Sequence, residues 1–209
     1  SQEAIRYNAV VLLISVNNYH FLAPGMPKGL KSTSSPIAVS ASATATTDPV
    51  AEQFYSKRID LQLNPLDNEV FVVTGVKIDF DNPIIEFDGA ATGFKFLSQK
   101  CSLSTGEQTL YQGISSPSVI AASQIDATAN LTTQPNYYAV MEQNSMDAPP
   151  AGMDYLHVIA TNDFYLNFFV GAQYLGGQTA GVQIRVYGYR ATADASTYAA
   201  LVQSELLSA

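Results

Sequence analysis

Apolar and polar positions alternate with a period of two through most of the chain after residue 53, a pattern typical of strands with one buried face. The clearest example is residues 69–80, EVFVVTGVKIDF, which are rich in β-branched and aromatic side chains. Alternation predicts that five of these side chains share one face of a strand: Val70, Val72, Val76, Ile78 and Phe80. Residues 182–190 alternate as cleanly, with Val182, Ile184 and Val186 on one side and Arg185, Tyr187 and Tyr189 on the other.

Further runs predict the rest of a β domain. The other predicted strands are residues 54–63, 93–103, 137–143, 155–160 and 164–170, and residues 107–111 or 118–124 supply one more. Helical spacing is confined to residues 194–207, where Asp194 is the predicted N-cap. The side chains at helical spacing in this tail are Tyr198, Leu201, Val202, Glu205 and Leu206.

Seven or eight strands with no helices between them are typical of an antiparallel sandwich or barrel. The strand-rich body is longer than an immunoglobulin-type domain of about 100 residues, and it contains a long excursion at residues 103–135. We therefore predict an all-β fold, an antiparallel eight-stranded jelly-roll sandwich with an extended N-terminal arm and a short C-terminal helix. The predicted boundaries are 1–47 for the arm, 48–193 for the jelly roll and 194–209 for the helix.

The predicted arm combines an apolar run with a stretch of small residues. Residues 9–16, AVVLLISV, follow a single basic residue, Arg6, and precede a poor cleavage region at residues 17–20. We interpret them as a retained helix or strand that packs on a neighbour or beneath an assembly, and a cleavable signal peptide is the alternative. The opening residues, SQEAIR, are those expected after removal of an initiator methionine. Residues 32–47 are built from Ser, Thr and Ala with period-two alternation, which suits a linker or an extended segment along a sheet edge, its own or a neighbour's.

Composition narrows the function classes. Hydrophobic residues make up 47% of the chain and charged residues 13%, which excludes a disordered, charge-solvated chain. The net charge of −8 argues against a strongly basic nucleic-acid binder. The arm is mildly basic, with Arg6, Lys28 and Lys31 against Glu3, so it suits contact with phosphate or lipid headgroups.

Catalytic chemistry finds little support. The single cysteine, Cys101, excludes a disulfide framework and a multi-cysteine zinc site within one chain. The imidazoles are His20 and His157; a Cys101–His157 pair stays open, but an inert thiol and a satisfied strand histidine are the favoured interpretations. No Gly-x-Ser-x-Gly elbow is present, and the glycine-rich residues 171–181 lack the Gly-Lys-Ser/Thr ending of a phosphate loop. We predict no enzyme, no catalytic residues and no cofactor.

An acidic cluster at the end of the strongest strand is the one candidate metal site. Asp79 and Asp81 are two positions apart and share a face if extended, with Glu86 and Asp88 close behind. Carboxylate oxygens are ligands that Ca²⁺ prefers, although the spacing does not match an EF-hand. Calcium at Asp79 and Asp81 is the hypothesis, and a solvated turn is the alternative. Asn130-Leu131-Thr132 is a formal glycosylation sequon.

The whole layout resembles that of single jelly-roll viral capsid (coat) proteins. The resemblance rests on the arm, on the terminal helix and on strands such as FYSKRIDLQL, EVFVVTGVKIDF and VQIRVYGYR. It covers about residues 50–191 as a pattern and includes no diagnostic motif. No functional residues are therefore carried over from the family. The resemblance implies a structural protein of the virion that self-assembles into a shell with copies of itself and other capsid proteins. Its arm would meet membrane or genome, and it would have no small-molecule substrate. The alternatives are a carbohydrate-binding or adhesin-like jelly roll using the abundant Tyr and Phe, extracellular or at the cell surface, and a secreted filament subunit.

Overall fold

The structure is a computed structural model that describes residues 29–45, 52–81, 94–130, 137–144, 148–172 and 180–208. The apolar run 9–16, Glu86, Asp88, the sequon residues Leu131 and Thr132, and the glycine-rich residues 173–179 lie outside the described residues. The strands are β1 (Leu30–Ser32), β2 (Ile37–Thr44), β3 (Gln53–Asp60), β4 (Glu69–Phe80), β5 (Phe94–Ser104), β6 (Val119–Asn130), β7 (Tyr137–Asn144), β8 (His157–Ile159), β9 (Asp163–Ala172) and β10 (Gly181–Ala193). A 3₁₀ turn (Pro65–Asp67) precedes β4, and the helix α1 (Ala195–Ser208) follows β10.

The strands form two antiparallel sheets. The first sheet has the order β1-β10-β4-β8, with β2 also paired to β10, and the second has the order β3-β9-β5-β6-β7. Four pairs are nested along the chain: β2 with β10, β3 with β9, β4 with β8, and β5 with β6. This nesting of eight strands in two sheets is the jelly-roll topology. The predicted all-β jelly-roll sandwich with a C-terminal helix is confirmed.

The stretch of small residues supplies part of the first sheet. β2 pairs with β10 from Gly188↔Ile37 to Gly181↔Thr44, and β1 continues along the same edge of β10. Val39, Ala41 and Ala43 pack against the core while the serines between them face outward, as the alternation predicts. The boundary proposed between residues 47 and 48 thus falls between two strands of one sandwich.

The longest predicted strand changes face midway. Opposite β10 the register skips Thr74, which forms a β-bulge. Because one extra residue reverses the alternation, Phe71 and Val73 join the later side chains in the core between the sheets, whereas Val70 and Val72 lie on the outer face. The prediction that Val70 and Val72 share a face with the later apolar residues of β4 is therefore wrong.

A second, smaller core lies between the outer face of the first sheet and α1. Val70, Val72, Val158, Ala191 and Ala193 are buried there, with the following side chains packed against them: Leu30, Tyr155, Tyr189, Tyr198, Leu201 and Val202. The predicted N-cap is confirmed, since the Asp194 carboxylate accepts the backbone N–H of Thr197 at 2.8 Å. That hydrogen bond is the main reason why the pKa of Asp194 is lowered.

Glu205 attaches the far end of α1 to the sandwich. Its carboxylate accepts the backbone N–H of Ala160 at 2.8 Å and that of Thr161 at 2.9 Å, at the turn between β8 and β9. Burial raises the pKa of Glu205, and these hydrogen bonds oppose the rise. Leu206, which the sequence groups with Glu205 by helical spacing, lies on the outer side of α1 and is 68% exposed.

Candidate functional site

A polar cleft of about 380 Å³ opens on the outer face of the first sheet and contains Asp79. Lys77 on β4 and Arg185 on β10 lie opposite each other in the register and line the same cleft. The Arg185 Nε–H donates to Ser40 Oγ at 3.4 Å. Two cations beside one carboxylate repel a divalent cation, so these surroundings weaken the attraction of Asp79 for Ca²⁺.

The second predicted metal ligand, Asp81, lies just beyond the end of β4. Its Oδ1 accepts a hydrogen bond from Gln183 Nε2 at 3.4 Å, and its side chain lies against the Gly181 backbone so closely that a Cβ there would clash with Asp81 Oδ2. Among the residues that the structure describes, no group of three or more His, Cys, Asp or Glu side chains is placed to hold a metal ion. The calcium hypothesis at Asp79 and Asp81 stays a prediction.

An aromatic cleft of about 420 Å³ lies on the outer face of the second sheet. Lys100 is its central cation: its Nζ is 5.7 Å from the ring centre of Tyr111 and 5.5 Å from that of Phe169, within cation–π range. Phe54 lies beside Phe169 in the strand register, and the cleft also includes Glu52, Gln53, Thr109 and Leu110. Residues 107–111, one of the two candidates for a further strand, form a loop instead, and no periodic pattern in the sequence connects Tyr111 in this loop to Phe169.

Buried polar groups adjoin this cleft on the same face. Asn167 is fully buried, accepts a hydrogen bond from Ser56 Oγ at 2.8 Å and donates to Ser104 Oγ at 2.7 Å. Three more buried polar side chains have atoms without a protein partner: Ser102 Oγ, Thr105 Oγ1 and both amide atoms of Gln108. Buried polar atoms of this kind usually bind ordered water, so we expect water beneath this surface.

The candidate nucleophile, Cys101 on β5, and the candidate base, His157 on β8, lie in opposite sheets. Cys101 is buried in the main core, and its burial raises the pKa of the thiol far above its usual range. Burial also lowers the pKa of His157, which favours the neutral imidazole. A thiol held in its protonated form is a poor nucleophile, so the environment of Cys101 opposes catalysis by a thiolate.

The edge strand β7 carries exposed apolar side chains on both of its faces. Among the described strands, β7 pairs with β6 alone, and Val140 is 46% exposed while Met141, on the opposite face, is 59% exposed. Nearby on β5, Phe96 is 39% exposed. We call Val140 and Met141, on the side of β7 that pairs with no described strand, the lateral edge. Natural proteins usually protect such edges with charges, bulges or proline, so this one is suited to contact with another chain.

No helix among the described residues is long and apolar enough to cross a membrane.

Comparisons with known proteins find similarity in structure but not in sequence. No protein-family model matches the chain, and no characterised protein sequence does. Apo VP1 of chimpanzee polyomavirus overlaps with 78% of this chain and 99% of its own, at 7% identity and a TM-score of 0.34. The unassembled pentamer of Merkel cell polyomavirus VP1 overlaps with 74% of this chain and 94% of its own, at 7% identity and a TM-score of 0.30. VP1 of trichodysplasia spinulosa-associated polyomavirus, in complex with GM1 oligosaccharide, overlaps with 79% of this chain and 94% of its own, at 8% identity and a TM-score of 0.32. The similarity is distant.

Proposed function

We propose that this protein is a structural subunit of a virion shell, which assembles with copies of itself and with other capsid proteins. The single observation that carries the proposal is the lateral edge. It combines a strand at the end of the described sheet order with exposed apolar side chains, and a neighbouring subunit that covers them removes those side chains from water.

The lateral edge is weakly protected against association. Of its side chains that the structure describes, from Ala139 to Glu142, only Glu142 is charged. Val140 and Met141 lie side by side in the middle of the strand and point to opposite faces. A second chain that packs against either face therefore gains a hydrophobic free energy of about 25 cal/mol for each Å² of apolar area that it buries.

The jelly-roll architecture agrees with a coat role but does not distinguish it from carbohydrate binding, because jelly rolls occur in both capsid proteins and lectins. The inertness of the thiol and the low charge content are compatible with a subunit that works through contacts. The resemblance in sequence pattern to single jelly-roll coat proteins supports the same choice. In this proposal the basic residues of the N-terminal arm meet membrane or genome.

The experiment measures particle size for the full chain and two charge variants. We expect the parent protein to form capsomers or closed shells in light scattering and negative-stain images, and Met141→Glu to shift it toward smaller species. The matched control is Leu110→Glu, since Leu110 is similarly exposed, at 61%, but lies by the aromatic cleft. A parent protein that stays monomeric, or equal loss of assembly in both variants, contradicts the proposal.

The aromatic cleft favours a second candidate function, carbohydrate binding. Aromatic faces stack on sugar rings, and Lys100 with Gln53 and Thr109 offers hydrogen-bond donors at the same place. A glycan array followed by titration tests this alternative. Saturable binding to a monomer that is lost in Phe169→Ala supports it, and the absence of glycan binding eliminates it.

A further inference from the structure

The outer surface of α1 carries no charge. Glu205 is the only charged residue between Ala195 and Ser208, and it is buried against the sandwich. Leu206 and Leu207 are 68% and 80% exposed. A surface helix normally presents charged and polar residues to water, so this surface has the character of a covered one.

These leucines belong to a shallow, open apolar groove of about 540 Å³, whose lining residues all lie on α1. We call it the helix groove; its lining residues are Tyr198, Ala199, Val202, Gln203, Leu206 and Leu207. Tyr198 and Val202 also line a smaller neighbouring cavity of mixed character, where Leu63 and Pro65 lie beside Thr161, Asn162 and Asp163.

Gly29, the first described residue, lies beside the N-terminus of α1. The Gly29 carbonyl accepts the backbone N–H of Asp194 at 2.9 Å. Gly29 has a positive φ of 89°, and a Cβ there would lie 2.6 Å from Thr197 Oγ1. Residues 1–28 therefore join the domain directly beside the first turn of α1.

The chain outside the described part is long enough to reach the whole groove. The 14 residues of α1 span about 21 Å at 1.5 Å per residue. Residues 17–28, if extended, reach about 40 Å at roughly 3.3 Å per residue. They connect Gly29 to residues 9–16, an apolar run with no charged side chain that would have to be desolvated.

We infer that residues 9–16 pack in the helix groove of their own chain. A short tether gives an effective concentration on the order of millimolar, which exceeds the concentration of second copies in a micromolar solution by about a hundredfold or more. Packing of the run against Leu206 and Leu207 removes both apolar surfaces from water. This contact does not depend on the coat function.

The test is cysteine cross-linking in the full chain with a flexible bis-maleimide at micromolar protein. Leu12→Cys is combined with Leu206→Cys in the groove, or with Leu110→Cys as a control of similar exposure by the aromatic cleft. We expect an intrachain product for the groove pair in about hundredfold excess over the interchain product. The control pair should give little of either. The matched variant Leu13→Asp, which places a charge in the run, should remove the groove product and increase the fluorescence of a dye that binds apolar surface.

Three results overturn the inference: a groove product at twice the subunit mass, equal cross-linking of the groove and control pairs, or no groove product. Circular dichroism of each variant establishes that the sandwich is folded when the cross-linking is measured. The readout is a cross-link within one chain and not particle size, so failure of this contact is distinguishable from failure of the proposed coat function.

Discussion

The contact between Glu205 and the β8–β9 turn predicts a large loss of stability from Glu205→Ala. The change leaves the N–H groups of Ala160 and Thr161 without the acceptor that now lies 2.8 and 2.9 Å away. Ala160 is buried, so leaving its N–H without an acceptor costs about 1–3 kcal/mol. Thr161 is half-buried, and because water can reach its N–H, the cost there is about 1 kcal/mol. We expect the free energy of unfolding to fall by about 2–4 kcal/mol.

Urea unfolding followed by circular dichroism measures this loss, and hydrogen exchange at residues 160 and 161 locates it. Ser204→Ala is the matched control, because Ser204 is the exposed neighbour in the same helix. Glu205→Gln keeps one acceptor oxygen and should lose less than the alanine variant. A loss below about 0.5 kcal/mol for Glu205→Ala, within the range of ordinary surface substitutions, refutes the reasoning.

The same carboxyl group predicts a pH dependence with a defined sign. Since burial raises the pKa of Glu205 in the folded protein, the folded state binds this proton more readily than the unfolded state does. The contribution of this bound proton to the free energy of unfolding is therefore complete below the pKa of an unfolded glutamate, about 4.3. It is lost as the pH rises through the higher pKa of Glu205 in the folded protein. Glu205→Gln should remove this component from the pH profile of stability. An identical profile in the parent and Glu205→Gln contradicts the assignment.

Three further predictions concern other residues. Gly188→Ala should lower the free energy of unfolding by several kcal/mol, because its Cβ would lie 2.3 Å from the Val72 carbonyl oxygen; an unchanged urea midpoint contradicts this. Cys101 should react with a maleimide reagent only on unfolding, because it is buried and its thiol stays protonated, and rapid labelling of the native protein refutes that expectation. If Asp79 and Asp81 bind calcium, the ion should raise the melting temperature of the parent but not of the double alanine variant, and no calcium effect in the parent ends the hypothesis.

Regular alternation allowed much of the fold to be predicted. β4 spans Glu69–Phe80, as the pattern of the sequence predicts, and α1 begins beside its predicted cap, Asp194. Both signals are local, because alternation and capping depend on neighbours along the chain. The antiparallel arrangement agrees with the absence of helices between the strands, and the length of the domain favoured the jelly roll over an immunoglobulin-type sandwich.

The errors arise where long-range contacts override the local pattern. The bulge at Thr74 reverses the faces of β4, and Val70 and Val72 thereby fill the core beneath α1, which depends on packing between distant parts of the chain. Helical spacing groups Glu205 with the apolar side chains of α1, but it does not predict that the partners of Glu205 are two backbone N–H groups distant in the sequence. Neither contact is visible in the sequence of the strand or the helix alone.

The candidate sites show the same division. Asp79 could be recognised by its residue type, but its neighbour Arg185 lies more than a hundred residues away in the chain and reaches it only through strand pairing. The aromatic cleft depends on a loop, a strand end and a cross-strand pair meeting on one face. Sequence periodicity does not predict which distant segments of the chain come into contact in this way.

The most direct test of the proposed function is the mass of the purified full chain as a function of its concentration, measured by light scattering with parallel negative-stain images. The account predicts discrete capsomers or closed shells, whose population is reduced by Met141→Glu at the lateral edge. A monomer at every concentration, indifferent to that substitution, would contradict it.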